Sequence, residues 1–194
     1  MRKIILFVHM SLDGFVAGPG GEMDWISTTP DLFEFVEKRV QQTDCALYGR
    51  RTFQMMQGYW PTAAEQPGAS RHDIEHARWY ASARKVVLSR SLTQADAPGA
   101  SLLGGELKRE IEALKAESEG EVLMFGSPGA AHALMKLDLL DGYWLFVNPV
   151  LLGAGVALFG RPAHLERLRL LSTAAFPSGV ICLDYERADY PHSP

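Results

Sequence analysis

The fold class of this sequence is decided by the stretch Cys45-Ala46-Leu47-Tyr48-Gly49-Arg50-Arg51-Thr52-Phe53. Its first four residues form an apolar run without polar alternation, which is typical of a strand covered on both faces of a mostly parallel sheet. Gly49 then allows a tight turn, and the next residues begin a helix whose free N–H groups attract an anion. Arg50 and Arg51 add charge and forked donors suited to phosphate. The alternative is a helix start that is basic only because it faces solvent.

Similar apolar runs recur along the chain, at Ile4–Met10, Val86–Leu88, Val122–Phe125 and Tyr143–Val147. Between them, apolar residues follow a helical spacing in a helix beginning near Pro30, in Glu106–Ser118 and in Ala130–Leu137. Strands that alternate with helices predict an α/β fold of three layers, with a mostly parallel central sheet and helices on both faces.

The C-terminal part of the chain has a different pattern. Leu168–Phe176 and Val180–Arg187 flank the loop signal Pro177-Ser178-Gly179, which predicts an antiparallel hairpin added to the sheet. We expect residues 1–187 to form one domain and residues 188–194 a loose tail. Residues 61–76 are rich in Ala, Pro and Gly, and we interpret them as a surface excursion.

Composition argues against several classes of protein. The chain has 194 residues, and its formal net charge of −4 speaks against a non-specific nucleic-acid binder. Cys45 and Cys182 form no C-x-x-C motif and are interpreted as buried thiols in a reducing compartment. Two apolar segments, Met1–Met10 and Gly142–Gly160, are too short or too interrupted to cross a membrane. We therefore expect a cytoplasmic protein with neither a membrane nor a nucleic-acid partner.

Phosphate-compatible residues follow two further strands. Ser89-Arg90-Ser91 comes after Val86–Leu88, and Gly126-Ser127-Pro128-Gly129 comes after Val122–Phe125. Neither loop is a G-x-G-x-x-G or P-loop motif, and each alone could be an ordinary turn. In open α/β sheets, however, ligands bind at the carboxyl ends of strands. Parallel neighbouring strands would place both loops beside Gly49–Thr52, where one ligand with several phosphates, such as a dinucleotide, could contact all three.

A glycine-rich segment, Ser11–Trp25, follows the first predicted strand. It carries Phe15, Val16, Met23 and Trp25 without a regular period, which is more apolar surface than a plain surface loop needs. We interpret the segment as a mobile lid over a planar ligand.

Four motifs in this order carry a family resemblance: S-L-D-G-F-V-A at Ser11–Ala17, L-Y-G-R-R-T-F at Leu47–Phe53, K-V-V-L-S-R-S at Lys85–Ser91 and N-P-V-L-L-G-A-G-V-A-L-F at Asn148–Phe159. Over about residues 2–187 the chain resembles the dihydrofolate reductase-like superfamily. Within it, the chain is most similar to stand-alone relatives of the reductase domain of the bacterial bifunctional riboflavin-biosynthesis deaminase–reductase. The resemblance implies an NADPH-dependent reductase acting on a small pterin-like, pyrimidine or carbonyl substrate. It also implies a homodimer formed through the C-terminal hairpin and the neighbouring strand.

The resemblance assigns cofactor-binding roles to residues of all these loops. The phosphate-binding helix start is matched by Gly49, Arg50, Arg51 and Thr52, and the strand end near the adenosine 2′-phosphate is matched by Ser89 and Arg90. The glycine pair under the pyrophosphate is matched by Gly126 and Ser127. The lid near the nicotinamide is matched by Val16 and Ala17. The family usually has a second glycine where this chain has Ser127. If that position needs φ > 0, serine brings strain; alternatively, its hydroxyl could donate a hydrogen bond to phosphate.

Substrate-side roles rest on the same resemblance. Asp31, in Thr29-Pro30-Asp31-Leu32, matches the helix start where dihydrofolate reductases carry the acidic residue that orients and protonates the substrate. The alternative is that Asp31 and Glu34 only favour the helix start. Asp13 and Trp25 are further pocket candidates, each with a structural alternative. Because no H-x-E…P-C-x-x-C zinc signature of a deaminase is present, the substrate need not be the riboflavin intermediate.

Two other functions stay open. One is a non-enzymatic dinucleotide-binding or regulatory dimer with the same fold, and the other is a nucleotide or phosphosugar transferase that uses the same loops. No metal site is expected, because His72 and His76 are spaced for zinc on a helix but lack the H-E-x-x-H order and an evident third ligand. His132 is interpreted as a packing or turn residue.

Overall fold

The computed structural model describes residues 1–117, 120–160 and 165–188. Within these ranges the chain forms an eight-stranded sheet, a two-stranded sheet and five helices. In chain order the elements are β1 Lys3–Ser11, β2 Phe15–Ala17, α1 Pro30–Val40, β3 Cys45–Gly49, α2 Arg50–Ala63, α3 Arg71–Ser82, β4 Arg84–Leu88, β5 Ala100–Leu103, α4 Leu107–Ala116, β6 Glu121–Phe125, α5 Pro128–Lys136, β7 Gly142–Asn148, β8 Val156–Ala157, β9 Leu168–Ala175 and β10 Ile181–Arg187.

The main sheet has the strand order β5-β4-β3-β6-β1-β7-β10-β9. From β5 to β7 all neighbours are parallel, whereas β10 pairs antiparallel with both β7 and β9. This arrangement confirms the predicted α/β fold with a mostly parallel sheet and an antiparallel C-terminal hairpin. Because parallel strands point the same way, the loops after β3, β4, β5 and β6 all leave from one edge.

Helices cover both faces of the sheet, as predicted. Ile111 of α4 and Leu134 of α5 are fully buried against one face. Val36 of α1, Phe53 of α2 and Trp79 of α3 are buried against the other. Burial of an aliphatic or aromatic side chain of this size contributes about 1.5–3 kcal/mol. These contacts therefore hold the helix starts in place around the edge where the strands end.

The surface excursion predicted at 61–76 is confirmed only for residues 64–70, which lie outside the helices and are mostly exposed. Helix α2 continues past Pro61, and α3 begins at Arg71. A capping box starts α3, because Ser70 Oγ accepts the N–H of Asp73 and the Asp73 carboxylate accepts the N–H of Ser70. The Ala-, Pro- and Gly-rich composition thus belongs to the end of one helix and the link to the next, and the capping signal decides where the second helix begins.

Cys45 and Cys182 are buried free thiols, as expected. Burial raises the pKa of the Cys182 thiol to about 11, so this group stays protonated at neutral pH. None of the helices in the described ranges is long and apolar enough to cross a bilayer. The predicted tail at 188–194 lies outside the described residues except for Ala188.

Candidate functional site

A cavity of about 780 Å³ lies at the edge of the sheet where β3, β4, β5 and β6 end. The loops after these strands, together with the starts of α2, α4 and α5, form its walls. Most of the predicted cofactor-binding residues line it: Gly49, Arg50, Arg51, Thr52, Ser89, Arg90 and Ser127. The three loops singled out in the sequence therefore meet around one space.

The start of α2 contributes N–H groups and two arginines to this cavity. Its N-cap residue, Gly49, makes no side-chain cap hydrogen bond, so the N–H groups of the first turn have no acceptor within the helix. Arg50 Nη1 donates to Ser91 Oγ at 2.9 Å, which joins the β3–α2 turn to the loop after β4. The partial positive charge of the helix start and the guanidinium charges of Arg50 and Arg51 act together to favour an anion.

The turn between β6 and α5 has two consecutive residues with positive φ. Gly126 has a φ of 49°, and Ser127, the N-cap of α5, has a φ of 58°. A non-glycine residue in this left-handed region costs about 1–2 kcal/mol. The strain expected for serine at this position is therefore present in the backbone.

The hydroxyl of Ser127 is used inside the protein. It donates to the carbonyl oxygen of Phe125 at 2.8 Å and accepts the N–H of Gly49 at 2.8 Å. Its single proton is thus already placed, which argues against the expectation that this hydroxyl donates to phosphate. The two hydrogen bonds instead offset the backbone strain and tie the β6–α5 turn to the β3–α2 turn.

Glycines let these two turns approach each other and leave room for a ligand. A Cβ atom added at Gly49 would lie 3.2 Å from Ala130 Cβ and 3.3 Å from Ser127 Cβ, which is tighter than an ordinary contact. A Cβ added at Gly129, in the first turn of α5, would meet no atom within 4 Å. Gly129 lines the cavity, so backbone at this helix start is accessible to a bound group.

The loops after β4 and β5 form the opposite wall. Ser89 Oγ accepts the N–H groups of Ser91 and Leu92 at 3.2 and 3.0 Å, which shapes the turn that carries exposed Arg90. A Cβ added at Gly104 would lie 2.4 Å from the carbonyl oxygen of Ser89, so only glycine fits there. The sequence analysis did not identify Gly104 and Gly105 as site residues. The signal was present, because glycines directly after a strand end indicate a ligand-binding turn at Gly49 and Gly126 as well.

Two carboxylates lie near these cations. Glu110 of α4 lines the cavity and accepts the N–H of Gly105 at 3.2 and 3.3 Å. The pKa of Asp96 is lowered, chiefly because Thr93 donates its N–H and its hydroxyl to that carboxylate, and the charge of Arg50 adds to the effect. Among the residues that line the cavity, three arginines face this one glutamate, so the site is cationic.

Val16 and Ala17, predicted near the nicotinamide, are buried in β2 and do not line this cavity. Strand β2 pairs antiparallel with β8, whose Val156 does line it. His132 of α5 also lines it, and its Nε2 lies 2.7 Å from the carbonyl oxygen of Leu158, just after β8. The segment interpreted as a lid therefore includes a short strand packed against the core. His132 has two roles, because it contacts the residue after β8 and also lines the cavity.

The carboxylate of Asp13 links the loop after β1 to the loop at Leu152 and Gly153. This carboxylate accepts the hydroxyl of Ser11 at 2.6 Å, the N–H of Gly153 at 2.7 Å and the N–H of Leu152 at 3.1 Å. The pKa of Asp13 is lowered, first by the hydrogen bond from Ser11 and then by the backbone donors. A substrate would have to compete with these donors for the carboxylate, so the geometry favours the structural alternative for Asp13.

Neither Trp25 nor Asp31 lines the cavity. The indole Nε1 of Trp25 donates to the carbonyl oxygen of Glu22 at 3.0 Å. Asp31 is exposed in the first turn of α1. Buried Asn148 fixes the loop before α1, because its Oδ1 accepts the N–H of Ser27 at 3.0 Å. Asn148 begins one of the four family motifs, but nothing in the motif indicates this contact with Ser27, which is distant in sequence.

The parallel sheet, the C-terminal hairpin and the cationic cavity at the strand ends define an α/β protein with a site suited to an anionic ligand. The profile of the RibD C-terminal domain family matches residues 2–182, and the chain belongs to this family. The resemblance to riboflavin-biosynthesis reductase domains stated from the sequence is thereby confirmed.

Three similar proteins illustrate the relationship. The uncharacterized protein YyaP of Bacillus subtilis is 32% identical over 186 residues, which cover 95% of this chain and 94% of YyaP. A candidate riboflavin biosynthesis protein from Shewanella sp. PV-4 has a crystal structure with a TM-score of 0.73 and 22% identity, covering 97% of this chain and 99% of that one. Dihydrofolate reductase from Enterococcus faecalis, solved with NADP(H), has a TM-score of 0.64 and 16% identity, covering 96% and 97%. Both structures share the fold of this chain.

Proposed function

We propose that the chain is an NADPH-dependent reductase that transfers hydride to a small pterin-like, pyrimidine or carbonyl substrate. The observation that carries this proposal is the convergence of Arg50, Arg90 and Ser127, from three separate loops, on one cavity. The family and the likeness in fold to a dihydrofolate reductase solved with NADP(H) support it.

The residues of the cavity fit a dinucleotide. The starts of α2 and α5 have no side-chain caps, and Gly129 leaves backbone open at the second of them. Such helix starts bind phosphate groups through N–H donors and the helix dipole. Arg50 and Arg51 add guanidinium donors beside them, so the pyrophosphate would be held by α2 and by the Gly126-Ser127 turn.

Arg90 would contact the 2′-phosphate of the adenosine. It lies on the exposed turn after β4, which Ser89 shapes through two backbone hydrogen bonds. A forked guanidinium donor suits a phosphate monoester such as the 2′-phosphate of NADPH. NADH has an uncharged hydroxyl at the same position. The proposal therefore includes a preference for NADPH over NADH. When bound, the cofactor supplies the hydride, and the protein supplies binding and orientation.

The substrate side is proposed around the end of β1. Val16 and Ala17 of β2 would lie near the nicotinamide, and Asp31 would orient the substrate and deliver a proton. Asp13 would act indirectly, by holding the loop at Leu152 and Gly153 in place. Trp25 would form part of the pocket wall.

We also propose that the chain forms a homodimer. The outer strands β9 and β10 expose Leu168, Leu170, Leu171 and Ile181, with Leu170 and Leu171 about half accessible. A long apolar edge strand of this kind is a surface that proteins normally cover. A second copy of the chain would cover it through the C-terminal hairpin.

Calorimetric and fluorescence titration with NADPH, NADH and ATP tests the function. We expect NADPH to bind most tightly and to be oxidised when a suitable substrate is added. NADPH binding without oxidation across pterin-like, pyrimidine and carbonyl substrates would favour the non-enzymatic binding dimer. Tighter binding of ATP than of NADPH would overturn the proposal in favour of a transferase.

A further inference from the structure

We propose that Glu37, His72 and His76 form a binding site for a divalent transition-metal ion of the zinc type, between α1 and α3. The sequence spaces His72 and His76 for zinc on a helix but shows no third ligand near them. Glu37, from α1, lies against both histidines. This site shares no lining residue with the dinucleotide cavity, so it is independent of the proposed function.

The carboxylate of Glu37 lies close to the spacing of metal ligands from both histidines. Glu37 Oε2 lies 3.2 Å from His76 Nδ1 and 3.5 Å from His72 Nδ1. One possible ligand atom from each residue lies within 4.8 Å of the others. Zinc bonds of about 2.0–2.2 Å in a tetrahedron separate two ligand atoms by about 3.3–3.6 Å. Only a small adjustment of the side chains would therefore admit the ion.

Neighbouring groups hold the ligands in position. The ring of His72 stacks on Phe33 at 3.9 Å with an interplanar angle of 9°, and the ring of His76 lies 4.0 Å from that of Trp60. The amide of Gln41 donates to Glu37 Oε1 at 2.5 Å, which leaves Oε2 directed at the histidines. Outer contacts of this kind orient the ligands of natural metal sites.

One of the proposed ligand atoms has no partner inside the protein. His72 Nδ1 is buried without a hydrogen-bond partner, which is costly unless another group satisfies it. A metal ion at this position would satisfy that nitrogen, because the imidazole nitrogen of histidine is a common ligand of zinc-type ions.

A second cavity of about 780 Å³, lined by Glu37 and His72, gives an ion access and room for water as a fourth ligand. Its nearby cations are paired with carboxylates: Lys38 lies 3.1 Å from Glu34, and Arg71 lies 2.7 Å from Glu75. The other cation lining this cavity is Arg78. Two imidazoles and one carboxylate favour zinc-type ions over Mg²⁺ or Ca²⁺, which prefer oxygen ligands.

Calorimetric titration of untagged, chelator-treated protein with Zn²⁺ tests the site, with Co²⁺ absorption as a report of tetrahedral coordination. We expect one equivalent of Zn²⁺ to bind and to raise the thermal unfolding midpoint. Excess Mg²⁺ should not weaken this binding. Gln41→Ala should weaken Zn²⁺ binding by about 10–100-fold, as loss of an outer-shell contact does. Glu37→Gln and His72→Phe should each weaken it further.

Glu75→Gln is the matched control, because it removes a carboxylate from the same cavity without removing a proposed ligand. It should leave Zn²⁺ affinity within about twofold of the wild type, because Glu75 is half-exposed and its partner Arg71 is exposed, so solvent screens both charges. His72→Phe keeps an aromatic ring against Phe33, so it reports on coordination even if Glu37→Gln fails to fold. Equal Zn²⁺ binding by the wild type and His72→Phe would overturn the site. An equal loss of Zn²⁺ affinity in Glu37→Gln and Glu75→Gln would show non-specific attraction by carboxylates and would also overturn the site.

Discussion

The hydroxyl of Ser127 accepts the backbone N–H of Gly49 at 2.8 Å, across the gap between two helix starts. The same hydroxyl donates to the carbonyl oxygen of Phe125, so its position is fixed from both sides. This contact sets the spacing between α2 and α5. The two groups of N–H donors proposed to bind one pyrophosphate are thereby held in a constant arrangement.

Ser127→Ala should lower the free energy of unfolding by about 1–3 kcal/mol, because it leaves the half-buried N–H of Gly49 without its acceptor. Ser127→Gly loses the same bonds but relieves the left-handed backbone, so it should be about 1 kcal/mol more stable than the alanine variant. Urea denaturation followed by circular dichroism measures both. An alanine variant as stable as the wild type would contradict the role of the hydroxyl, and one more stable than the glycine variant would contradict the strain.

Arg90→Ala should weaken NADPH binding by about 1–3 kcal/mol and leave NADH binding almost unchanged, because only NADPH carries the 2′-phosphate. Calorimetric titration of both nucleotides measures the difference. Arg71→Ala, an exposed arginine at the second cavity, is the control and should change neither. Equal losses for NADPH and NADH would remove Arg90 from the 2′-phosphate.

Much of this site follows from local sequence signals. The stretch around Gly49 predicts a strand, a turn and a helix start because each step depends on adjacent residues. The loop at Gly104 and Gly105 carries the same signal, but its strand, β5, is only four residues long and its apolar run gives little contrast with its surroundings. A short strand of this kind gains its stability from pairing with β4, which a local pattern does not contain.

Other features depend on contacts between distant parts of the chain. The spacing of His72 and His76 is visible in the sequence, but Glu37 lies on another helix, and only the packing of α1 against α3 brings it near. For Asp13, contacts with distant residues favour a structural role over the predicted binding role. Its motif indicates a pocket residue, and only the fold places the N–H groups of Leu152 and Gly153 on its carboxylate.

Asp31→Asn should abolish or strongly reduce turnover while leaving the affinity for NADPH unchanged, because Asp31 lies outside the dinucleotide cavity. Steady-state oxidation of NADPH and a parallel binding titration separate the two effects. Glu34→Gln, one turn along α1, is the control and should retain turnover. If Asp31→Asn turns over at the wild-type rate, Asp31 is a helix-start residue and not the proton donor.

Leu170→Lys should convert the dimer to a monomer, because it places a charge in the apolar surface formed by β9 and β10. Sedimentation velocity of the wild type and the variant measures the mass of each. Leu137→Lys changes an exposed leucine at the end of α5 and should leave the dimer intact. A monomeric wild type would rule out the proposed interface at once.

A crystal structure with bound NADPH is the most direct test of the shared cavity. We predict electron density for its phosphates between the first turn of α2 and the Gly126-Ser127 turn, with the guanidinium of Arg90 on the 2′-phosphate. Density for the dinucleotide elsewhere on the protein, with Arg50, Arg90 and Ser127 all free of it, would contradict the assignment of this cavity.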